Sequence, residues 1–332
     1  QAVQGSGSGL IPPTSNGLPS HLQRLIETGE RQRNRQHRGR FAPSPTGPLH
    51  RGNLRTALVA WLEARLQGGE LLLRIDDLDT PRNRAGAEEA ILADLRWLGL
   101  GWDGPPVRQS ERTGLYATVL SALRRQGLLY PCRCSRRLLA DVSAPQGAVS
   151  VYPGFCRTRA HGWGVENGRL PSWRLRLHDA PLCWPEAIAA PGRLEAAREV
   201  GDVVLRRADG FLAYHLATAV DELALGITTV VRGADLWAAT APQVAVMQCL
   251  GATPPTYWHV PLWRDAKGER LAKRAGAEGV AGLRAQGLDA AAVIGLLAAS
   301  LELVPAGSRL SAAELLQNLS KEALKQRLCG KA

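Results

Sequence analysis

The stretch GRFAPSPTGPLHRGNLRTALVAWLEARLQGG, residues 39–69, decides the fold. It opens with a short strand, GRFAPS, and breaks at a Pro/Gly turn, PTGP. Beyond the turn Leu54, Leu58, Trp61, Leu62 and Leu66 recur at helical spacing, and Gly68-Gly69 stops the helix. A strand feeding a helix through such a turn leaves unpaired backbone N–H groups at the positive end of a helix dipole, which suits phosphate. His50, Gly52 and Asn53 stand just before the helix. Gly52 lets a ligand come close, while His50 and Asn53 offer hydrogen bonds to phosphate oxygens. H-x-G-N alone is better read as a plain capped helix.

Outward from this element, strand and helix patterns alternate. LLLRIDD and the helices AGAEEAILADLRWLGL and ERTGLYATVLSALRRQG continue a first half; ITTVVRGADL and the helix WAATAPQVAVMQCLG form a second. The fold class is α/β, a Rossmann-like doubly wound parallel sheet, with ligands expected at the carboxyl ends of strands where the halves meet. VVLRRADGFLAY reads as a hairpin with an Asp-Gly turn. The segments are then 1–38, a disordered basic tail with at most a short helix around SHLQRLIETGE; 39–130, the first half; 131–200, an irregular, strand-containing insertion; 201–262, the second half; and 263–332, a loop followed by two or three amphipathic helices. Trp163, Trp173 and Trp184 in the insertion are read as small-domain core rather than as base-stacking platforms.

A net charge of +11 points to an anionic partner, nucleic acid first. Six cysteines in 332 residues are too sparse for a disulfide framework. No run reaches the ~18 apolar residues of a membrane span, and no signal-peptide pattern is present. The expectation is a cytoplasmic protein with no membrane partner, read by default as a monomer. Cys132, Cys134 and Cys156 fall close together with Tyr152, and from the residues alone a metal site and buried thiols are both open.

The motifs RFAPSPTGPLHRGNLRTAL, LLLRIDDLDTPR, DLRWLGLGWDG, RQSERTGLY, DVVLRRADGFLAYHLATAVDE, VVRGADL and ERLAKR follow one another over roughly residues 39–280. Together they resemble the glutamyl/glutaminyl branch of class I aminoacyl-tRNA synthetases, with HRGN at the HIGH position. That resemblance implies activation of L-glutamate by ATP, brought with Mg2+, to an adenylate. His50, Gly52 and Asn53 would meet the phosphates, and Lys273, in the KMSKS-like loop, would supply a cation for pyrophosphate. Arg40 would pair with the glutamate side-chain carboxylate, and Asp76 with its ammonium. Tyr214 and Arg232 match further amino-acid contacts, and Phe41, Ala42, Pro43 and Ser44 share the entry strand with Arg40. Two positions depart from the family pattern: Asp76 stands where Glu is common, and Ala272 where the loop has serine. Turn and cap roles are at least as good a reading for Asp79, Asp221 and Asp235.

After Lys273, residues 274–332 are too few for the anticodon-binding domain of full glutamyl-tRNA synthetases. This shortened form is similar to the queuosine-directed branch of the family. The similarity implies tRNA-independent activation of glutamate, then transfer to the queuosine base at the wobble position of tRNA(Asp). It also implies one structural Zn2+ in the insertion, held by Cys132, Cys134, Tyr152 and Cys156, with water or His161 as substitutes for the tyrosine. The competing readings are a truncated glutamyl-tRNA synthetase charging the 3′ end of tRNA(Glu), and an inactive tRNA-binding paralogue.

Overall fold

The computed structural model describes residues 17–135, 138–139, 151–263 and 279–329. The first half-sheet is parallel, in the order β1 (Arg38–Phe41), β2 (Glu70–Ile75), β3 (Val107–Arg108). The second pairs β9 (Thr229–Gly233) with β10 (Thr256–Val260), also parallel. The halves meet where β1 lies beside β9, joined by Thr228 N–H donating to the Arg38 carbonyl at 2.9 Å. The seam is the topological switch point at which such sheets bind ligands.

Helix α2 (Arg51–Leu66) follows β1 and is buried on nearly every side rather than along one stripe. Its Leu54, Leu58 and Leu62 share a core with Leu71, Leu73 and Ile75 of the sheet and with Leu297, Leu315 and Leu324. The last three come from helices Ala290–Ser300, Ala312–Gln317 and Lys321–Leu328; a further short helix, Val280–Ala285, precedes them. The C-terminal helices therefore cover the face of α2 that would otherwise meet water.

Between the halves, β4 (Leu129–Cys132), β5 (Ser172–Leu175) and β8 (Val203–Arg206) form an antiparallel sheet, and β6 (Pro181–Trp184) and β7 (Gly192–Glu195) form a hairpin. The Asp-Gly turn after β8 forms as its residues suggest: Arg207 N–H bonds to the Phe211 carbonyl, and Gly210 takes φ +91°. Trp163 and Trp173 pack edge to face, with Arg124 and Arg206 over their rings, so these faces are already covered. Among the described residues no helix is long and apolar enough to cross a membrane.

The expectation of a disordered tail through residue 38 is corrected for helix α1 (Ser20–Arg35). Leu18 and Leu22 belong to a second core with Leu120, Leu123, Val220 and Leu223, and Arg33 donates to the Thr253 and Glu222 carbonyls. Leu18, Leu22 and Ile26 form a one-sided apolar stripe that the basic composition around it conceals. The helix docks on α5 (Tyr214–Ala224) at Gly29, where an added Cβ would stand 1.9 Å from the Leu223 carbonyl oxygen. Gly29→Ala is expected to cost about 1–3 kcal/mol by overpacking, read as a lowered urea midpoint with an unchanged m-value.

Candidate active site and metal cluster

His50 is the N-cap of α2. Its Nδ1 accepts from the backbone N–H of Gly52 (3.1 Å) and of Asn53 (3.4 Å), while Asn53 Oδ1 accepts from His50 N–H. An Nδ1 used as acceptor puts the proton of a neutral imidazole on Nε2, which then serves as a donor. A Cβ on Gly52 would lie 3.1 Å from the His50 ring. A side chain at 52 would thus crowd the cap itself, in addition to any approach of a ligand. Both the cap and the phosphate-donor roles are compatible with this geometry, because they use different atoms.

At the seam, two arginines from neighbouring strands converge on buried carboxylates, with Arg232 close by. Arg40 Nε donates to Glu222 Oε1 at 2.8 Å and its Nη1 to the Val231 carbonyl at 3.0 Å. Arg74 reaches the same Glu222 oxygen at 3.3 Å and grips Asp76 through Nε (2.6 Å) and Nη2 (3.2 Å). Burial alone would push the Glu222 carboxyl up, yet Arg40 and Arg74, with Arg232 beyond them, outweigh it and hold it below its ordinary value. For Asp76 burial wins over Arg74 and the carboxyl is raised. Asp221 accepts from Gln109, Arg112 and Tyr116, a structural role in a fully buried hub.

Arg232 is held from three sides: Nε on His259 Nε2 (3.1 Å), Nη1 on Gln243 Oε1 (2.8 Å), Nη2 on Thr240 Oγ1 (2.6 Å). Of its five N–H donors, these bonds leave one on each terminal nitrogen, a pair suited to a carboxylate. Its guanidinium lies over the Tyr257 ring, 5.0 Å from the centroid. Thr218 Oγ1, Glu222 Oε2, Gln243 Nε2 and Tyr257 hydroxyl are buried with no partner among the described residues. His215 is neutral, its imidazole pushed down to about 4 by burial and then by Arg232. Tyr214 begins α5 and is partly exposed. The Arg232 guanidinium thus lies next to the Gln243 amide and the Tyr257 ring, two side chains that each keep a buried polar atom without a partner among the described residues.

In the insertion, the Sγ atoms of Cys132, Cys134 and Cys156 all lie within 4.8 Å of one another. Tyr152 hydroxyl stands 3.4 Å from Cys132 Sγ and 3.5 Å from Cys134 Sγ, and Cys134 Sγ lies 3.6 Å from Cys156 Sγ. A tetrahedral ion with metal–sulfur bonds of ~2.3 Å has S···S edges of ~3.8 Å, so this group can hold a metal. His161 is not part of the group. Arg174 lies over the Tyr152 ring at 3.7 Å and would offset thiolate charge.

The structure thus brings Arg40, Asp76 and Arg232 into one buried region and places His50, Gly52 and Asn53 at the start of the neighbouring helix. Phe41 belongs to the core, and Pro43 accepts from Asp76 N–H at 3.0 Å. Lys273 and Ala272 lie outside the described residues. Sequence reasoning did not single out Arg74, Glu222, Gln243, His259 or Glu186. An available signal was a polar side chain inside an apolar run, as in HLATAVDE and TYWHV.

The family described as tRNA synthetases class I (E and Q), catalytic domain, matches residues 36–298. The chain belongs to this family. Among its relatives a Glutamyl-Q tRNA(Asp) synthetase of Prochlorococcus marinus (strain MIT 9303) is 57% identical over 309 residues, 93% of the chain and 96% of that relative. One of the same name from Nitratidesulfovibrio vulgaris is 45% identical over 282 residues, covering 81% and 87%. The crystal structure of a glutamate tRNA ligase from Elizabethkingia meningosepticum CCUG26117, in complex with its amino acid, matches with a TM-score of 0.73 at 28% identity. That match covers 90% of the chain, which spans 66% of that ligase. The class I synthetase fold places this chain among the ligases of the aminoacyl-tRNA synthetase type.

Glu222→Gln would leave Arg40 and Arg74 without their shared counter-charge. The expected loss is about 3 kcal/mol at pH 7, measured by urea unfolding followed through tryptophan fluorescence. The folded-state carboxyl lies below its unfolded value. Its contribution is therefore complete above about pH 4.3 and is lost as pH falls through the folded-state pKa, so wild type and variant should converge in acid.

Proposed function

We propose that the chain activates L-glutamate with ATP without tRNA, then transfers the glutamyl group to the queuosine base at the wobble position of tRNA(Asp). The observation that carries the acceptor is the 57% identity, over nearly the whole of both chains, to a relative named Glutamyl-Q tRNA(Asp) synthetase. The buried guanidinium pair carries the choice of glutamate.

In the first step a glutamate α-carboxylate oxygen attacks the α-phosphorus of ATP. A P–O bond forms, the α–β phosphoanhydride bond breaks, and pyrophosphate leaves. His50 donates to phosphate oxygens through Nε2–H while its Nδ1 holds the cap; the Asn53 amide and the N–H groups around Gly52 add further donors. Lys273 neutralises the leaving pyrophosphate, with which Mg2+ enters as part of the nucleotide substrate. Arg40 and Arg232 receive the side-chain carboxylate; a neutral glutamine would leave a buried guanidinium unmatched. Asp76, aimed by Arg74, takes the ammonium, and Tyr214 with the strand residues Phe41, Ala42, Pro43 and Ser44 closes the pocket. In the second step a nucleophile of the queuosine base attacks the activated carbonyl and AMP leaves. The net positive charge holds the tRNA backbone, and an unstacked loop base enters the site.

Cys132, Cys134, Cys156 and Tyr152 would hold one Zn2+, for which soft thiolates are suited. When bound, the ion supplies a cross-link that clips the insertion rather than chemistry on substrate.

With purified protein and labelled glutamate, label should enter queuosine-containing tRNA(Asp) alone, and glutamate should drive ATP–pyrophosphate exchange with no RNA present. Equal labelling of queuosine-free tRNA(Asp), or charging of tRNA(Glu), would overturn the acceptor assignment. Metal analysis of protein never exposed to chelator should find one zinc per chain, and less than about half an equivalent would count against the site.

A further inference from the structure

We propose that Glu186, a residue of the insertion, positions Arg232 for glutamate by fixing the tautomer of His259. The proposal rests on the reading of Arg232 as a contact of the amino acid.

The segment around Glu186 is stitched to the edge of β10. Tyr257 N–H donates to the Pro185 carbonyl and Ala187 N–H to the Tyr257 carbonyl, each at 2.9 Å, giving a parallel bridge between Glu186 and Tyr257. The Glu186 side chain is fully buried. Its Oε1 accepts from the backbone N–H of His259 at 3.2 Å and its Oε2 stands 2.5 Å from His259 Nδ1. On the other side of the ring, His259 Nε2 faces Arg232 Nε at 3.1 Å. His259 and Arg232 are direct cross-strand partners in the β9–β10 register, and the His259 ring stacks on Tyr257 with 3° between planes.

His259 Nε2 also lies 3.2 Å from Thr240 Oγ1, a hydroxyl able to donate or accept, so it is Arg232 that selects one proton arrangement along the chain Glu186–His259–Arg232. Arg232 Nε carries a single N–H and never accepts, so His259 Nε2 must present its lone pair. The imidazole is then neutral with its proton on Nδ1, and a carboxylate at Nδ1 is the group that holds it there. Burial and then Arg232 keep the imidazole below its ordinary pKa, against the pull of Glu186. With Nε fixed in this way, Gln243 and Thr240 set the roll of the guanidinium, and one N–H on each terminal nitrogen is left over. Glutamine at 186 has one oxygen for two donors, the His259 backbone N–H and Nδ1–H. Its amide nitrogen, placed against Nδ1, favours the opposite tautomer, whose Nε2–H would oppose Arg232 Nε–H.

The test is glutamate-dependent ATP–pyrophosphate exchange by the full chain, with KM for glutamate and for ATP measured separately. Glu186→Gln should raise the glutamate KM roughly tenfold, as loss of a buried bond to a charged group does, with the ATP KM within about twofold and Glu186→Asp recovering most of the loss. In an Arg232→Lys background, where no Nε–H exists, adding Glu186→Gln should change the glutamate KM by less than about twofold. A glutamate KM unmoved by Glu186→Gln, full multiplication of the two effects, or a parallel rise in both KM values would overturn the proposal. If Glu186→Gln fails to fold, imidazole 15N shifts of His259 in the unaltered protein decide: the proton is expected on Nδ1, and a proton on Nε2 refutes the relay. Failure of the underlying reading looks different, since Arg232→Lys alone would then leave the glutamate KM unchanged while the 15N shifts still report Nδ1–H.

Discussion

The buried carboxylate of Glu222 is the constraint around which the rest of this molecule is arranged. Three arginines, Arg40 on β1, Arg74 on β2 and Arg232 on β9, are brought to one seam by a sheet whose own backbone pairing has no say in their charge. Like charges in a low-dielectric interior repel strongly and each carries a large desolvation cost. Glu222 meets Arg40 and Arg74 directly, with Asp76 and Asp221 beside it. All of α5 is then committed to one position: Asp221 ties it to α4 (Thr113–Arg125) and the turn before it, and its C-terminal backbone receives α1.

The same constraint makes the site. Guanidinium groups balanced inside the protein, rather than by solvent, keep fixed directions, and fixed donors recognise a carboxylate without reorganising. Under the proposed function, the amino-acid contacts Arg40, Asp76 and Arg232 lie toward the carboxyl ends of their strands, close to the N-terminus of α2, as the switch-point geometry predicts. The insertion is attached at two levels, by the antiparallel sheet around β5 and by the isolated parallel bridge between Glu186 and Tyr257 of β10. Its cysteine cluster lies in a small core of its own, formed by Tyr130, Cys132, Tyr152 and Cys156 with Cys134 packed against it.

Much of this was legible in the residues. The strand–turn–helix at 39–69, the alternation that makes the sheet parallel, and the Asp-Gly hairpin each depend on local period and turn chemistry, and each appears where its residues stand. Of the helix at Ser20–Arg35 only a short stretch around SHLQRLIETGE was legible, because its apolar stripe is narrow and its stability comes from docking against Val220 and Leu223, about 190 positions away in the chain. Arg40 was legible, through the family resemblance, as a cation for a substrate carboxylate but not as the partner of Glu222, which stands 182 positions further on.

What the sequence by itself determined was therefore the order of elements, the strand–turn–helix that carries His50, and the chemistry each side chain can perform. Only the tertiary structure decided which carboxylate answers which guanidinium, that His50 spends Nδ1 on its own helix, and that Glu186 reaches His259 from the insertion. The reason is physical. Period and turn preference are properties of neighbouring residues, whereas the pairing of buried charges is settled by which side chains share a dry space once the strands have closed.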